Sequence, residues 1–129
     1  MKNEAIKTIL VIDDSTTNTV LLEAVLNAKG YKIETALCVK DAHNIIAKHM
    51  PHLVLLDLLM PKINGHDFLK ELKSSPKTRD IPVVVVSALT DDENIRKSLE
   101  LGAIEFVKKP INIPVLIKLV DNLLKNNIL

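Results

Sequence analysis

Apolar residues come in short unbroken blocks along this chain, and polar residues separate the blocks at regular intervals. Thr8-Ile9-Leu10-Val11-Ile12, Leu53-Val54-Leu55-Leu56 and Val83-Val84-Val85-Val86 show no alternation. Runs of that kind predict strands buried on both faces, as in a parallel sheet flanked by helices. Tyr31 to Ala36 alternates and is shorter, which predicts a strand nearer an edge, and Ile104 to Val107 predicts a last short strand. Between them the spacing predicts helices. The first is capped by Ser15, turns Val20, Leu21, Ala24, Val25 and Ala28 inward and ends at Gly30. The second runs from Val39 to Met50 with Ala42, Ile45, Ile46 and Ala47 inward, and Pro51 stops it. After a loop from Pro61 to Gly65, Asn64 caps a third helix from His66 to Ser74 that buries Phe68, Leu69 and Leu72. A polar loop, Ser75 to Asp80, precedes the strand opened by Pro82. Thr90 and Glu93 have capping-box spacing for a fourth helix ending at Leu101 before Gly102. Asn112 caps a fifth helix to about Lys125, whose stripe Ile113, Val115, Ile117, Val120 and Leu124 is expected to be mostly core.

Five strands alternating with five helices imply an α/β fold, with parallel strands joined by right-handed crossovers and helices on both faces. At 129 residues the chain is expected to be one domain spanning residues 1–129, with no output domain attached.

Composition narrows the function. Seventeen basic residues against sixteen acidic ones lack the excess of a direct nucleic-acid binder. There is no Trp, and Tyr31, Phe68 and Phe106 are the only aromatics, so no stacking platform for bases or a flavin exists. Cys38 is alone, which excludes an intrachain disulfide and a cysteine metal site. The four histidines, 43, 49, 52 and 66, have no ligand spacing. No apolar run is long enough for a signal peptide or membrane span, so the expected compartment is the cytoplasm.

Chemistry collects at the strand ends, where open parallel sheets bind their ligands. The first strand ends in Asp13 and Asp14, the third in Asp57, the fourth in Ser87 and the fifth near Lys109. Each residue alone has an ordinary explanation as a helix cap, a surface lysine or a strand-end hydroxyl. Together they converge on one rim. Carboxylates ~4 Å apart repel by about 4 kcal/mol per pair at an effective dielectric near 20. A bound cation relieves this, and an all-oxygen ligand set suits Mg²⁺. With Lys109 and Ser87 to meet a phosphoryl group, Asp57 becomes the in-line nucleophile of an aspartyl phosphate.

The chain resembles the receiver domain of two-component response regulators over essentially its whole length. The matching residues are Val11-Ile12-Asp13-Asp14, Asp57-Leu58-Leu59-Met60-Pro61 with Asn64-Gly65, Val86-Ser87-Ala88, and Gly102-Ala103 through Phe106 to Lys109-Pro110. The resemblance implies a flavodoxin-like fold with strand order 2-1-3-4-5. It implies Asp57 as phosphoacceptor, Asp14 as a direct and Asp13 as a water-mediated Mg²⁺ ligand, and the Leu59 carbonyl as a further ligand. Ser87 and Lys109 would contact the phosphoryl group, with a cis bond before Pro110, and Phe106 would be the aromatic switch. The implied role is a stand-alone signalling module and not an enzyme acting on other molecules. Its phosphodonor would be a sensor histidine kinase or a histidine phosphotransfer protein, approaching the first helix. A downstream protein would read the fourth helix, fifth strand and fifth helix, with the module a monomer or a phosphorylation-dependent dimer. Leu59 and Leu89 stand where relatives often carry polar side chains beside the path of the hydrolysing water, which predicts slow loss of phosphate.

Three rival readings carry less. A haloacid-dehalogenase-type phosphatase needs an acid two residues after its nucleophile on the first strand, and Ser15 follows Asp13 there. A flavodoxin-type binder needs a hydroxyl- and glycine-rich loop where Asp13 and Asp14 stand. An unphosphorylated scaffold would not need the full acidic set.

Overall fold

A computed structural model describes residues 6–60 and 63–125. In chain order the elements are β1 (Thr8–Ile12), α1 (Thr16–Asn27), β2 (Lys32–Ala36), α2 (Val39–Lys48), β3 (Leu53–Leu56), β4 (Leu59–Met60), β5 (Ile63–Asn64), α3 (Gly65–Ser74), β6 (Val83–Ser87), α4 (Asp92–Glu100), β7 (Glu105–Lys108) and α5 (Ile113–Leu124). One five-stranded sheet has the order β2-β1-β3-β6-β7, with every pairing parallel. Counting only these five, the order is the expected 2-1-3-4-5.

The unbroken apolar runs follow from two cores. Leu10 and Ile12 point to one face, with Phe68, Leu69 and Leu72 of α3 and Ala42 of α2. Ile9 and Val11 point to the other, with Leu22 and Leu26 of α1 and Leu116, Val120 and Leu124 of α5. Successive residues of a strand face opposite sides, so a strand covered on both must be apolar throughout. Each fully buried leucine contributes about 1.5–3 kcal/mol.

The structure changes several expectations. In α1 the buried residues are Thr19, Leu22 and Leu26, whereas Val20, Leu21, Ala24 and Ala28 are exposed and Val25 is half-buried. Apolar residues of this helix spread well beyond one face, so periodicity could not set its phase. Thr19 tolerates burial because its hydroxyl donates to the Thr16 carbonyl at 3.0 Å. In α2 Ala47 is exposed, and in α5 Val115 is exposed while Leu116 joins the core. The fourth helix is capped one residue later than expected. Asp91, not Thr90, accepts from the Asn94 backbone N–H and side-chain amide, at 3.3 and 2.6 Å. A carboxylate at a helix N-terminus also gains from the dipole, which a threonine cannot. The last strand begins at Glu105, one residue later than the expected Ile104. Ahead of α3, the expected loop is partly ordered: β4 and β5 form an antiparallel pair, with Leu59 opposite Asn64. Pro61 lies outside the described residues. The caps Ser15, Asn64 and Asn112 are as expected.

Candidate phosphoacceptor site

Register assembles the site. Ile12 pairs with Leu56, and the Asp57 N–H donates to the Ile12 carbonyl at 2.9 Å, so Asp13 and Asp57 emerge side by side. Leu56 pairs with Val85, and Ser87 with Lys108, which brings the end of β6 and Lys109 to the same rim. The Lys109 N–H donates to the Ser87 carbonyl at 3.0 Å, and the Lys109–Pro110 peptide is cis, as expected.

Lys109 Nζ donates to Asp13 Oδ2 at 2.9 Å and to Asp57 Oδ2 at 3.1 Å. Asp13 Oδ1 accepts from the Ser15 N–H at 2.9 Å, and Asp57 Oδ1 from the Leu59 N–H at 3.0 Å. Asp13 and Asp57 are buried, and Asp14 is exposed. One oxygen from each of the three carboxylates lies within 4.8 Å of the others.

Burial raises the Asp57 pKa above the usual carboxylate value, against the opposing pull of the Leu59 N–H and Lys109. For Lys109, burial acts against the charge, but the hydrogen bonds and charges of Asp13 and Asp57 outweigh it and the pKa rises. Lys109 therefore stays an ammonium. Three carboxylates and one ammonium leave two net negative charges (3 − 1) when all are ionised, gathered at a solvent-reachable edge. The residues fit a hard divalent cation, whose preferred ligands are oxygens.

Ser87 is fully buried, and its hydroxyl accepts from the Leu89 N–H at 3.2 Å, which leaves the hydroxyl hydrogen uncommitted by that bond. Leu59 is half exposed at the rim, and Leu89 is partly buried against the core. Phe106 lies outside the carboxylate cluster. It is half-buried, and with Pro110, Val115 and Leu119 it lines a cleft of about 360 Å³ between β7 and α5. Gly65 is demanded by close approach, since a Cβ there would stand 2.5 Å from the Leu58 Cα, directly behind Asp57.

Sequence reasoning missed two contributors. Asn18 of α1 reaches Asp13 through its side-chain amide at 3.4 Å. His66 is buried and bonded to Ser98 of α4 at 2.9 Å. No signal in the sequence links residues 66 and 98.

A buried aspartate at the end of a central parallel strand, bridged by a lysine and flanked by two further acids, is the arrangement that the resemblance to receiver domains implied. The family described as "Response regulator receiver domain" matches residues 9–121, and the chain belongs to that family. It is 41% identical over 104 residues to Response regulator PleD of Caulobacter vibrioides, covering 81% of this chain and 23% of that protein. It is 37% identical over 119 residues to a probable cyclic di-GMP phosphodiesterase of Vibrio cholerae, covering 92% of this chain and 27% of that protein. The chain thus spans about a quarter of the length of these curated relatives. Among solved structures, the signal receiver domain of a DNA-binding response regulator from Colwellia psychrerythraea 34H superposes with a TM-score of 0.88 at 29% identity, covering 92% of this chain and 98% of that one. The chain is a receiver domain, a signalling module of two-component systems.

Proposed function

We propose that Asp57 is the phosphoacceptor and that a sensor histidine kinase or histidine phosphotransfer protein supplies the phosphoryl group. The observation that carries this reading is the bridge from Lys109 to both Asp13 and Asp57, at 2.9 and 3.1 Å, beneath the exposed Asp14. An Asp57 oxygen attacks phosphorus. The bond from phosphorus to the donor's imidazole nitrogen breaks, that nitrogen keeps the electron pair, and an acyl phosphate forms. Lys109 is held in reach of the incoming oxygens, and Ser87 has a hydroxyl hydrogen to donate to one of them. Asp13, Asp14, Asp57 and the Leu59 carbonyl would hold Mg²⁺, which when bound supplies charge neutralisation for the phosphoryl oxygens.

The output follows from the rim. Drawing Ser87 toward a phosphoryl group pulls on the loop between β6 and α4 and on Lys109 next to β7. Phe106 lies on β7, half-buried against the core face that also holds its β6 partner Val85. The surface of α4, β7 and α5 then presents a different shape to a downstream protein. Donor docking falls to the exposed apolar residues Val20, Leu21 and Ala24 of α1, next to Asp13 and Asp14.

Incubation with acetyl phosphate and Mg²⁺, followed by intact mass, tests the phosphoacceptor. Wild type is expected to gain one phosphate and Asp57→Asn none. No adduct on wild type, or equal adducts on both, refutes the assignment.

A further inference from the structure

His66 is the second residue of α3, after the Asn64 cap and Gly65, and Ser98 sits in α4; both are buried. The Ser98 hydroxyl has a single hydrogen, and it donates that to the Asn94 carbonyl at 2.8 Å. Ser98 Oγ therefore accepts from His66 Nε2–H at 2.9 Å. Asn94 in turn holds the Asp91 carboxylate through its N–H and its amide. A continuous hydrogen-bonded chain thus runs from the N-cap of α4, across α4, to the start of α3. His66 and Asn94 also line a cavity of about 260 Å³ whose other walls include Leu59 and Leu89. Leu59, two residues after Asp57, donates its N–H to that carboxylate, and Leu89 donates its N–H to the Ser87 hydroxyl. The two walls of the cavity belong to the two loops that carry the phosphoacceptor and the hydroxyl.

We propose that the His66–Ser98 hydrogen bond clamps α4 to α3 across this cavity and so sets the width of the gap between Leu59 and Leu89 through which water reaches an acyl phosphate on Asp57. The second half rests on Asp57 being the phosphoacceptor. His66 and Ser98 are positioning residues, since neither touches the reacting atoms. Breaking one end of the clamp leaves a buried polar group without its partner, whereas replacing both ends with apolar groups removes the unmet demand.

His66→Leu, Ser98→Ala and the double variant separate the clamp from simple packing. Two readouts are compared with wild type: amide hydrogen exchange of α4 with α1 as internal reference, and the first-order loss of the phosphate adduct in Mg²⁺ after acetyl phosphate is removed. Each single variant is expected to exchange α4 amides about tenfold faster with α1 unchanged. Each is also expected to lose phosphate severalfold faster, and the double variant to return toward wild type in both. Unchanged α4 exchange, or acceleration spread equally over α1 and α4, overturns the clamp. Faster exchange with an unchanged rate of phosphate loss overturns its control of water. Absence of any adduct on wild type refutes the phosphoacceptor reading instead, and the exchange data still decide the clamp.

Discussion

The Asp57 carboxylate is costly where it stands: buried, with an elevated pKa, and kept in place by one backbone N–H and the Lys109 ammonium. Such a group is retained for reactivity more than for stability. Its neighbours are expected to govern how long a phosphoryl group on it would stay. Leu59 and Leu89 offer water no hydrogen bond from their side chains, so changing both to polar residues is expected to speed phosphate loss, read by intact mass over time. An unchanged rate would count against this role. His66 gives a second residue-scale expectation. Burial and then Lys97 of α4 lower its pKa, against the Asn94 carbonyl and Asp67 of α3. His52 is also lowered, by burial and then by Lys7 and His49, and its Nδ1 accepts the Thr8 N–H at 3.0 Å. As pH falls through about 6.5 the unfolded chain takes up protons that the folded chain refuses. Stability from these groups is complete above that pH and is lost below it. Melting temperature is expected to drop from about pH 7.5 to 5.5, and less steeply in His52→Gln. Equal slopes for the two proteins would exclude His52 as a contributor.

At the scale of elements, the helices divide into those whose pattern was decisive and those whose pattern was not, α1 above all. In α3, Phe68, Leu69 and Leu72 recur on one face, and that face is buried. In α1, apolar residues spread well beyond one face, and the sheet selected Leu22 and Leu26 while leaving Val20 and Leu21 in solvent. That exposed strip makes α1 the element expected to meet the phosphodonor. Leu21→Glu is expected to cut phosphotransfer from a cognate donor strongly, while thermal stability and labelling by acetyl phosphate hold. Loss of acetyl phosphate labelling as well would mean that the variant damages the site and not the docking. The one-residue shift of the α4 cap to Asp91 has a similar origin, because neighbouring residues Thr90 and Asp91 can both cap and the carboxylate is the stronger competitor.

For the whole molecule, five parallel strands bring residues distant in sequence to one rim; Asp13 and Lys109 are 96 positions apart. The uncompensated negative charge there favours a bound cation. Mg²⁺ is expected to raise the melting temperature in a concentration-dependent way, as a ligand that binds only the folded chain must. Asp14→Asn is expected to remove most of that increment, and an undiminished shift in the variant would place the ion elsewhere. Among the described residues, no helix is long and apolar enough to cross a membrane.

The five strands of the sheet and the acids at their ends were legible without coordinates, and strand order through the resemblance to receiver domains. A strand buried on both faces must be apolar throughout, and a polar residue that ends it marks the rim. The approach of Asp13, Asp57 and Lys109 to within hydrogen-bond distance was legible only as an expectation, since it depends on pairing register. The tertiary structure alone decided the phase of α1, the exposure of Val115, the β4–β5 pair and the His66–Ser98 bond. Each of these depends on which of several locally equivalent arrangements packs best against the rest of the molecule, and local sequence does not carry that choice.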